Sequence, residues 1–98
     1  MVFLKVSEII CIRAEGDYTN VFTSDGKHGL ILKSMKEWEM RLPQGTFCRV
    51  HRSYIINLDF VEKVEKEYNY DYTVYIKGID LPILMSRRYA RRLKEKMG

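Results

Sequence analysis

Cationic and polar side chains interrupt a strand-like stretch near the middle of the sequence. Residues 47–58 read FCRVHRSYIINL, in which the polar side chains before the second apolar run are Arg49, His51, Arg52 and Ser53. The pattern predicts two strands, 47–50 and 54–58, joined by a tight polar connection. A guanidinium group pairs bidentately with phosphate or guanine, so we interpret Arg52 as an anion-binding cation on a rigid base. In the alternative, structural interpretation, Arg49 pairs with a cross-strand acid and His51 caps a turn. For His51 we favour this structural interpretation.

A second candidate site is the strongly basic C-terminal segment. Residues 87–98, RRYARRLKEKMG, contain six of the chain's 17 Lys and Arg residues and one of its 13 acids, so the remainder is nearly neutral. Ser86 can cap a helix here, with Arg87 and Arg88 in its first turn, where the helix dipole disfavours cations. A bound anion would reverse that penalty. The segment therefore indicates a polyanion-binding site, although a solvated basic helix end lying over an apolar face is the alternative.

Other residue combinations could in principle bind metal or catalyse a reaction, but they form incomplete sets. Cys48 and His51 have the spacing C-x-x-H, and Cys11 and His28 could complete a zinc site, yet neither has a second ligand beside it. A Cys48 or Ser53 nucleophile with His51 would lack a third orienting group. No glycine-rich phosphate loop is visible. We therefore predict no enzymatic activity, no cofactor and no metal site.

Length and composition indicate one folded domain. The chain has 98 residues, of which 46% are apolar and 31% charged, as in ordinary folded proteins. The sequence has no apolar run long enough to span a bilayer and no visible secretory signal, so we expect a cytoplasmic protein that does not contact membranes. Two cysteines do not make a disulfide framework.

The hydrophobic pattern predicts a mostly β fold with two short helices, at about 34–42 and 87–97. Ser34 and Glu37 form a capping-box pattern for the first helix. An Asp25-Gly26 turn predicts a hairpin. Residues 60–67 also suit a helix, but β-branching favours a strand. The candidate strands are 2–6, 9–12, 18–23, 28–33, 47–50, 54–58, 60–67, 72–77 and 79–85, with a turn at 68–71.

Four segments together resemble one family, the LytTR DNA-binding domain of bacterial response regulators. They are EIICIRAEGDYTNVFTSDGK at 8–27, LKSMKEWEMRLP at 32–43, FCRVHRSYIINLDFVEKV at 47–64 and LPILMSRRYARRLK at 81–94. The run RVHRSYIIN, followed about thirty residues later by SRRY, is highly specific. The resemblance covers nearly the whole chain and identifies residues 1–98 as a single such domain.

The resemblance implies small antiparallel β-sheets with short helices, and sequence-specific binding of duplex DNA for transcription regulation. Loops would read successive major grooves, the first of them at residues 17–20. Residues assigned by position to base contact are Arg87, Thr19, Asn20 and Arg52, with Arg87 the preferred reader of guanine. Residues assigned to phosphate contact are Lys33, Ser53, Arg88 and Arg91. His51 and Asn57 are assigned to positioning the loop.

The sequence departs from the family pattern in a few places. Cys11 stands where the family often has an aromatic residue, and Arg13 where it often has Glu. The family usually has an extra strand ahead of Val2, so we expect either a piece of a longer protein or a stand-alone regulator with a reduced first strand. No receiver domain is visible in the chain. We therefore expect that any receiver domain or kinase partner is not part of this chain. On DNA we expect two domains side by side on direct repeats.

An RNA or single-strand binder is the alternative function. The chain has seven tyrosines, and aromatic side chains on a sheet can stack bases. In a mostly β protein, however, tyrosine more often packs in the core or across strands. That alternative would make an exposed tyrosine more important for binding than Arg87.

Overall fold

The computed structural model describes residues 4–68, 71–80 and 82–98 of the chain. Within these residues it contains eight strands, two α-helices and two short 3₁₀ turns, Val6–Glu8 and Leu58–Phe60. In chain order the main elements are β1 (Ile9–Glu15), β2 (Tyr18–Thr23), β3 (His28–Ile31), α1 (Met35–Arg41), β4 (Phe47–His51), β5 (Tyr54–Asn57), β6 (Val61–Lys66), β7 (Tyr72–Ile76), β8 (Ile83–Met85) and α2 (Arg87–Met97). This composition confirms the predicted mostly β class with two short helices.

The strands form two antiparallel sheets. The five-stranded sheet has the order β3-β2-β1-β5-β4, and the three-stranded sheet has the order β6-β7-β8. In the larger sheet, Arg13 of β1 lies opposite Asn20 of β2 on one side and opposite Tyr54 of β5 on the other. The β1–β2 and β4–β5 hairpins are therefore fastened together along β1 and β5.

Both faces of the five-stranded sheet are used for packing, because its strands alternate apolar residues on the two sides. Ile55 of β5 packs towards α1, while its neighbour Ile56 packs towards the three-stranded sheet and α2. The α1 side buries Ile9, Ile12, Val21, Met35, Trp38, Leu42, Phe47 and Ile55. The other side buries Ile10, Cys11, Cys48, Val50, Ile56, Val74, Ile76, Ile83, Met85, Ala90 and Leu93. The result is a layered domain with the larger sheet in the middle.

Two predicted strands are wrong in their extent. Leu4 and Lys5 precede a 3₁₀ turn in which the Glu8 amide donates to the Lys5 carbonyl at 2.9 Å, so Val6 is not in a strand; residues 2 and 3 lie outside the described residues. The last strand begins at Ile83 and not at residue 79. Its start is delayed by a turn in which Gly78 has a φ of +89° and a Cβ would come within 3.0 Å of the Ile10 side chain.

The other predicted elements are confirmed with small shifts of their ends. Residues 60–67 contain the strand β6, and the Ser34 capping box forms as predicted. The predicted turn at 68–71 includes residues 69 and 70, which lie outside the described residues. Neither helix among the described residues is long and apolar enough to cross a membrane.

Candidate nucleic-acid interface

The antiparallel register brings three connections to one end of the five-stranded sheet. The β1–β2 turn follows Glu15, the β4–β5 turn follows His51, and β3 leaves the sheet after Ile31, which pairs with Thr19 at the start of β2. We call this end, formed by residues 16–18, 32–33 and 52–53, the turn end. The first predicted reading loop, 17–20, and the segment of Arg52 and Ser53 therefore meet at the turn end, together with Lys33.

The β4–β5 turn has a well-defined backbone. The Ser53 amide donates to His51 Nδ1 at 3.0 Å, and the Ala14 amide donates to the Ser53 carbonyl at 2.9 Å. Arg49 Nη2 donates to the Arg52 carbonyl. These bonds fix the main chain at the Arg52 carbonyl and at Ser53, while the Arg52 side chain stays exposed. His51 is thus built into the turn, and Arg52 projects from it.

Arg49 has a structural role. Its Nη1 donates to Glu39 Oε1 of α1 at 2.5 Å, so the paired acid comes from the helix and not from the neighbouring strand. The guanidinium therefore connects α1 to the backbone of the β4–β5 turn. Arg49 Nε is buried and has no hydrogen-bond partner among the described residues.

Thr19, predicted to contact bases, faces the interior. It is 1% exposed, and its hydroxyl accepts a 2.7 Å hydrogen bond from the Trp38 indole N–H. The same hydroxyl lies 3.4 Å from the Ile31 carbonyl, to which it donates. A side chain with these contacts cannot reach DNA in this conformation, and it instead holds β2 against α1.

Asn20 also turns inward, on the opposite face of the sheet. It is 5% exposed; its Nδ2 donates to Glu15 Oε1 at 3.2 Å, and its Oδ1 lies 3.2 Å from His28 Nδ1. Arg13 also donates to Glu15, and these bonds lower the pKa of that carboxyl, Arg13 having the largest effect. The large exposed side chain of this turn is instead Tyr18, at 46% exposure.

Lys33, at the turn end, contacts α1. Its Nζ is 4.3 Å from the centre of the Trp38 ring, so the ammonium group rests on the indole face. Trp38 thereby contacts both Thr19 and Lys33. Sequence reasoning missed this role, although a buried indole N–H usually requires a partner.

The helix α2 runs back along β4 from the turn end. Lys96 Nζ near its C-terminus donates to the carbonyls of Gln44 and Phe47, at 2.7 and 2.8 Å, where β4 begins. The charge of Arg92, one turn earlier, acts on Cys48 of β4. Since an 11-residue helix and a five-residue strand both span about 16 Å, the start of α2 lies towards the end of β4, beside the Arg52 turn.

The cations of α2 fall on two stripes. Arg88, Arg92 and Lys96 are spaced by four residues, so Arg88 continues the β4-facing stripe towards the turn end. Arg87 and Arg91 line a groove between α2 and β6. Arg87 and Arg88 are both exposed, but they point to different sides of the helix.

Asn57, predicted to position the loop, positions a different segment. It is fully buried; its Nδ2 donates to the Ile9 carbonyl at 2.9 Å, and its Oδ1 accepts from the Asp59 amide at 2.9 Å. These bonds hold the start of β1 and the 3₁₀ turn after β5. Both lie at the opposite end of the sheet from Arg52.

The two cysteines are buried and unpaired, on strands that flank Ile56 from either side. Burial raises the pKa of the Cys11 thiol to about 12 and also raises that of Cys48, where Lys96 and Arg92 act in the opposite direction. Among the described residues, no three His, Cys, Asp or Glu side chains are grouped closely enough to hold a metal ion.

Comparison with known proteins agrees with this geometry. The model of the LytTr DNA-binding domain family matches residues 1–98. The chain belongs to this family. A solved LytTr DNA-binding domain, from a putative methyl-accepting/DNA response regulator of Bacillus cereus, superposes with a TM-score of 0.87, covering 99% of this chain and 87% of that one at 22% identity. That likeness confirms the LytTr fold.

Curated relatives are longer than the LytTr domain described here. The sensory transduction protein LytT of Bacillus subtilis (strain 168) is 30% identical over 96 residues, which are 97% of this chain and 39% of LytT. The transcriptional regulatory protein LytR of Staphylococcus aureus (strain MW2) is also 30% identical, with 38% of its length covered. The chain thus spans less than two fifths of the length of these relatives.

Family membership makes this a DNA-binding domain of transcription regulators and does not favour the single-strand alternative. The tyrosine contacts agree. Tyr75 donates to Glu65 Oε2 at 3.3 Å beneath the Lys63 ammonium, and Tyr54 packs edge-on against His51. Both rings have side-chain partners within the protein, whereas Tyr18 and Tyr68 are exposed.

Proposed function

We propose that the turn end enters the major groove of duplex DNA and that Arg52 is its central contact. The observation that supports this most directly is the register of the five-stranded sheet, which brings the β1–β2 turn, the β4–β5 turn and Lys33 to one end. Arg52 is the exposed cation there, and three hydrogen bonds fix the backbone of its turn, one at the Arg52 carbonyl and two at Ser53. A fixed backbone reduces the entropy lost when an arginine binds a base edge or a phosphate.

The remaining cations have graded roles in this proposal. Arg87 and Arg88 extend the contact from the start of α2, one to a base and the other to a phosphate. Ser53 and Lys33 contact phosphates beside Arg52. Arg91 lies one helical turn farther along α2, so we expect it to make the weaker phosphate contact. Thr19 and Asn20 support the β1–β2 turn from within, and Tyr18 is the exposed side chain of that turn.

At the level of the whole protein, we propose a cytoplasmic bacterial transcription regulator that has no enzymatic activity in this domain. Two such domains would occupy direct repeats in a promoter. A receiver domain would lie in a part of the protein beyond this chain, in keeping with the greater length of LytT and LytR. A kinase would be a separate partner protein.

Selection from random-sequence duplexes tests the proposal. We expect an enriched motif arranged as two direct repeats about one helical turn apart. Affinity for the selected duplex should fall steeply with salt because phosphate contacts release counterions. Recovery of no motif, or preferential recovery of single strands, would contradict the proposal.

The role of Arg52 is tested by Arg52→Ala on the selected duplex. We expect binding weaker by about 1–3 kcal/mol, with relaxed preference at one base position. Lys27→Ala is the matched control, because Lys27 is exposed in the β2–β3 turn at the opposite end of the sheet. Equal losses on selected and random duplexes would restrict Arg52 to phosphate contact.

A further inference from the structure

A groove of about 720 Å³ runs between α2 and the outermost strand of the three-stranded sheet. Four consecutive residues of β6, 61–64, line it, so the groove follows the backbone of the strand and not one face alone. In the described part of the chain, β6 pairs with β7 on one side and has no strand on the other. An outermost strand presents unpaired N–H and C=O groups, which can pair with an added strand.

The floor of the groove is apolar. Two of its side chains are unusually exposed for their type, Val64 at 39% and Met97 at 53%. The floor is completed by Val61, Tyr72, Ala90 and Leu93. Apolar side chains would gain free energy from being covered by another apolar group.

The rim of the groove is cationic. Arg87, Arg91 and Lys94 follow one another at helical spacing along α2 and all line the groove. Lys63 also lines it but pairs with Glu65 at 2.8 Å, and Glu62 is the one carboxylate of the lining. The groove therefore complements a partner that carries both apolar groups and negative charge.

We propose that this groove binds an extended acidic segment of a partner protein, added as a strand along β6. The side chains of that segment that face α2 would alternate between apolar residues, over Val64 and Met97, and carboxylates beside Arg91 and Lys94. A second copy of β6 is a poor occupant, because its own lysines, Lys63 and Lys66, oppose edge-to-edge pairing. DNA is also a poor occupant, since phosphates gain nothing from an apolar floor. The proposal does not depend on Arg52, but the groove shares Arg87 and Arg91 with the proposed DNA contacts, so its test substitutes Lys94 and Met97, to which no DNA contact is assigned.

The test uses a fluorescent peptide, acetyl-Thr-Val-Thr-Glu-Thr-Val-Thr-Glu-amide, in which every second residue is Val or Glu. Fluorescence anisotropy with the whole chain should show saturable binding. The double variant Lys94→Glu/Met97→Glu should bind about tenfold more weakly, because two favourable contacts are removed and repulsion is added. The control Lys36→Glu/Met40→Glu changes the same residue types on the exposed side of α1 and should bind within about twofold of the unaltered protein.

Two further peptides make the result decisive. A peptide methylated on alternate backbone amides should bind at least about tenfold more weakly, because it cannot complete the strand pairing. A peptide with Lys in place of Glu should not bind. The proposal is overturned if the first peptide does not bind, if methylation or charge has no effect, or if both double variants behave alike. DNA affinity, measured in parallel, separates failure of this site from failure of the DNA interface.

Discussion

The two helices of this domain begin in opposite ways, although each follows a serine in extended conformation. Ser34 accepts from the Glu37 amide at 3.1 Å, and Glu37 accepts in return from the Ser34 amide at 3.4 Å. Ser86 makes no such side-chain bond, and the first turn of α2 contains two arginines and no acid. The first helix thus has a reciprocal side-chain cap, whereas the second has no side-chain cap from Ser86 and carries two cations in its first turn.

We expect this difference if the start of α1 serves stability and the start of α2 serves binding. Each cation in the first turn of a helix costs about 0.3–1 kcal/mol when the site is exposed. In α2 that cost falls on Arg87 and Arg88, at the end of the helix that lies beside the Arg52 turn. A DNA phosphate placed there would reverse the sign of the interaction with both the dipole and the guanidinium groups. The start of α1 needs no such ligand.

The largest effect expected from this contrast is on DNA binding. Arg87→Ala and Arg88→Ala should each weaken binding to the selected duplex, and the variant that loses a base contact should do so by about 1–3 kcal/mol with relaxed sequence preference. The other should lose affinity equally on selected and random duplexes and should lower the salt slope by about one. Electrophoretic mobility shifts over a series of salt concentrations measure both.

The geometry makes these two arginines distinguishable. Arg88 continues the stripe of Arg92 and Lys96 along β4, whereas Arg87 lines the groove beside β6. The sequence-based prediction gives Arg87 the base contact, but the β4-facing stripe places Arg88 closer to the Arg52 side. If neither substitution changes affinity more than Lys27→Ala does, α2 is not part of the DNA interface.

Local patterns were enough to predict most of the fold. Alternation in β1, β2, β4 and β5, the Asp25-Gly26 turn and the Ser34 capping box all act between near neighbours in sequence. The errors arose where a long-range contact decides the backbone. The approach of Gly78 to Ile10 is an example, because nothing near residue 78 shows which strand it will meet.

The site was less predictable than the fold, for the same reason. Family position drew attention to Thr19 and Asn20, but their orientation is set by Trp38 and Glu15. The direction of α2, on which the roles of Arg87 and Arg88 depend, follows from long-range contacts, among them the burial of Leu93 in the core and the bond from Lys96 to Phe47, 49 residues earlier in the chain. Charge and residue type predicted that α2 binds an anion, whereas its partners in space required the structure.

A second test concerns the packing that holds α1 to the sheet. Trp38→Phe should lower the free energy of unfolding by about 1–2 kcal/mol, because the buried Thr19 hydroxyl loses its 2.7 Å donor. Urea denaturation of this variant, of Thr19→Val and of the double variant forms a cycle that isolates the bond. Additive losses would mean that the two side chains are not coupled. DNA affinity of the folded variant should change little, since Arg52 is held by other contacts.

The smallest expected effects are on the free energy of unfolding, and they test the difference between the two helix N-termini directly. Ser34→Ala should lower the free energy of unfolding by about 1 kcal/mol, because the Glu37 amide loses its acceptor. Ser86→Ala should change it by less than about 0.5 kcal/mol, because the Ser86 side chain makes no capping bond. Chemical denaturation of both variants in parallel measures the difference. Equal losses would show that Ser86 caps α2 in solution, and α2 would then differ from α1 in its charges alone. A small loss at Ser86 together with a large loss at Ser34 would show that Ser86 does not cap α2 in the free protein. A bound phosphate could then accept hydrogen bonds from the N-terminus of α2.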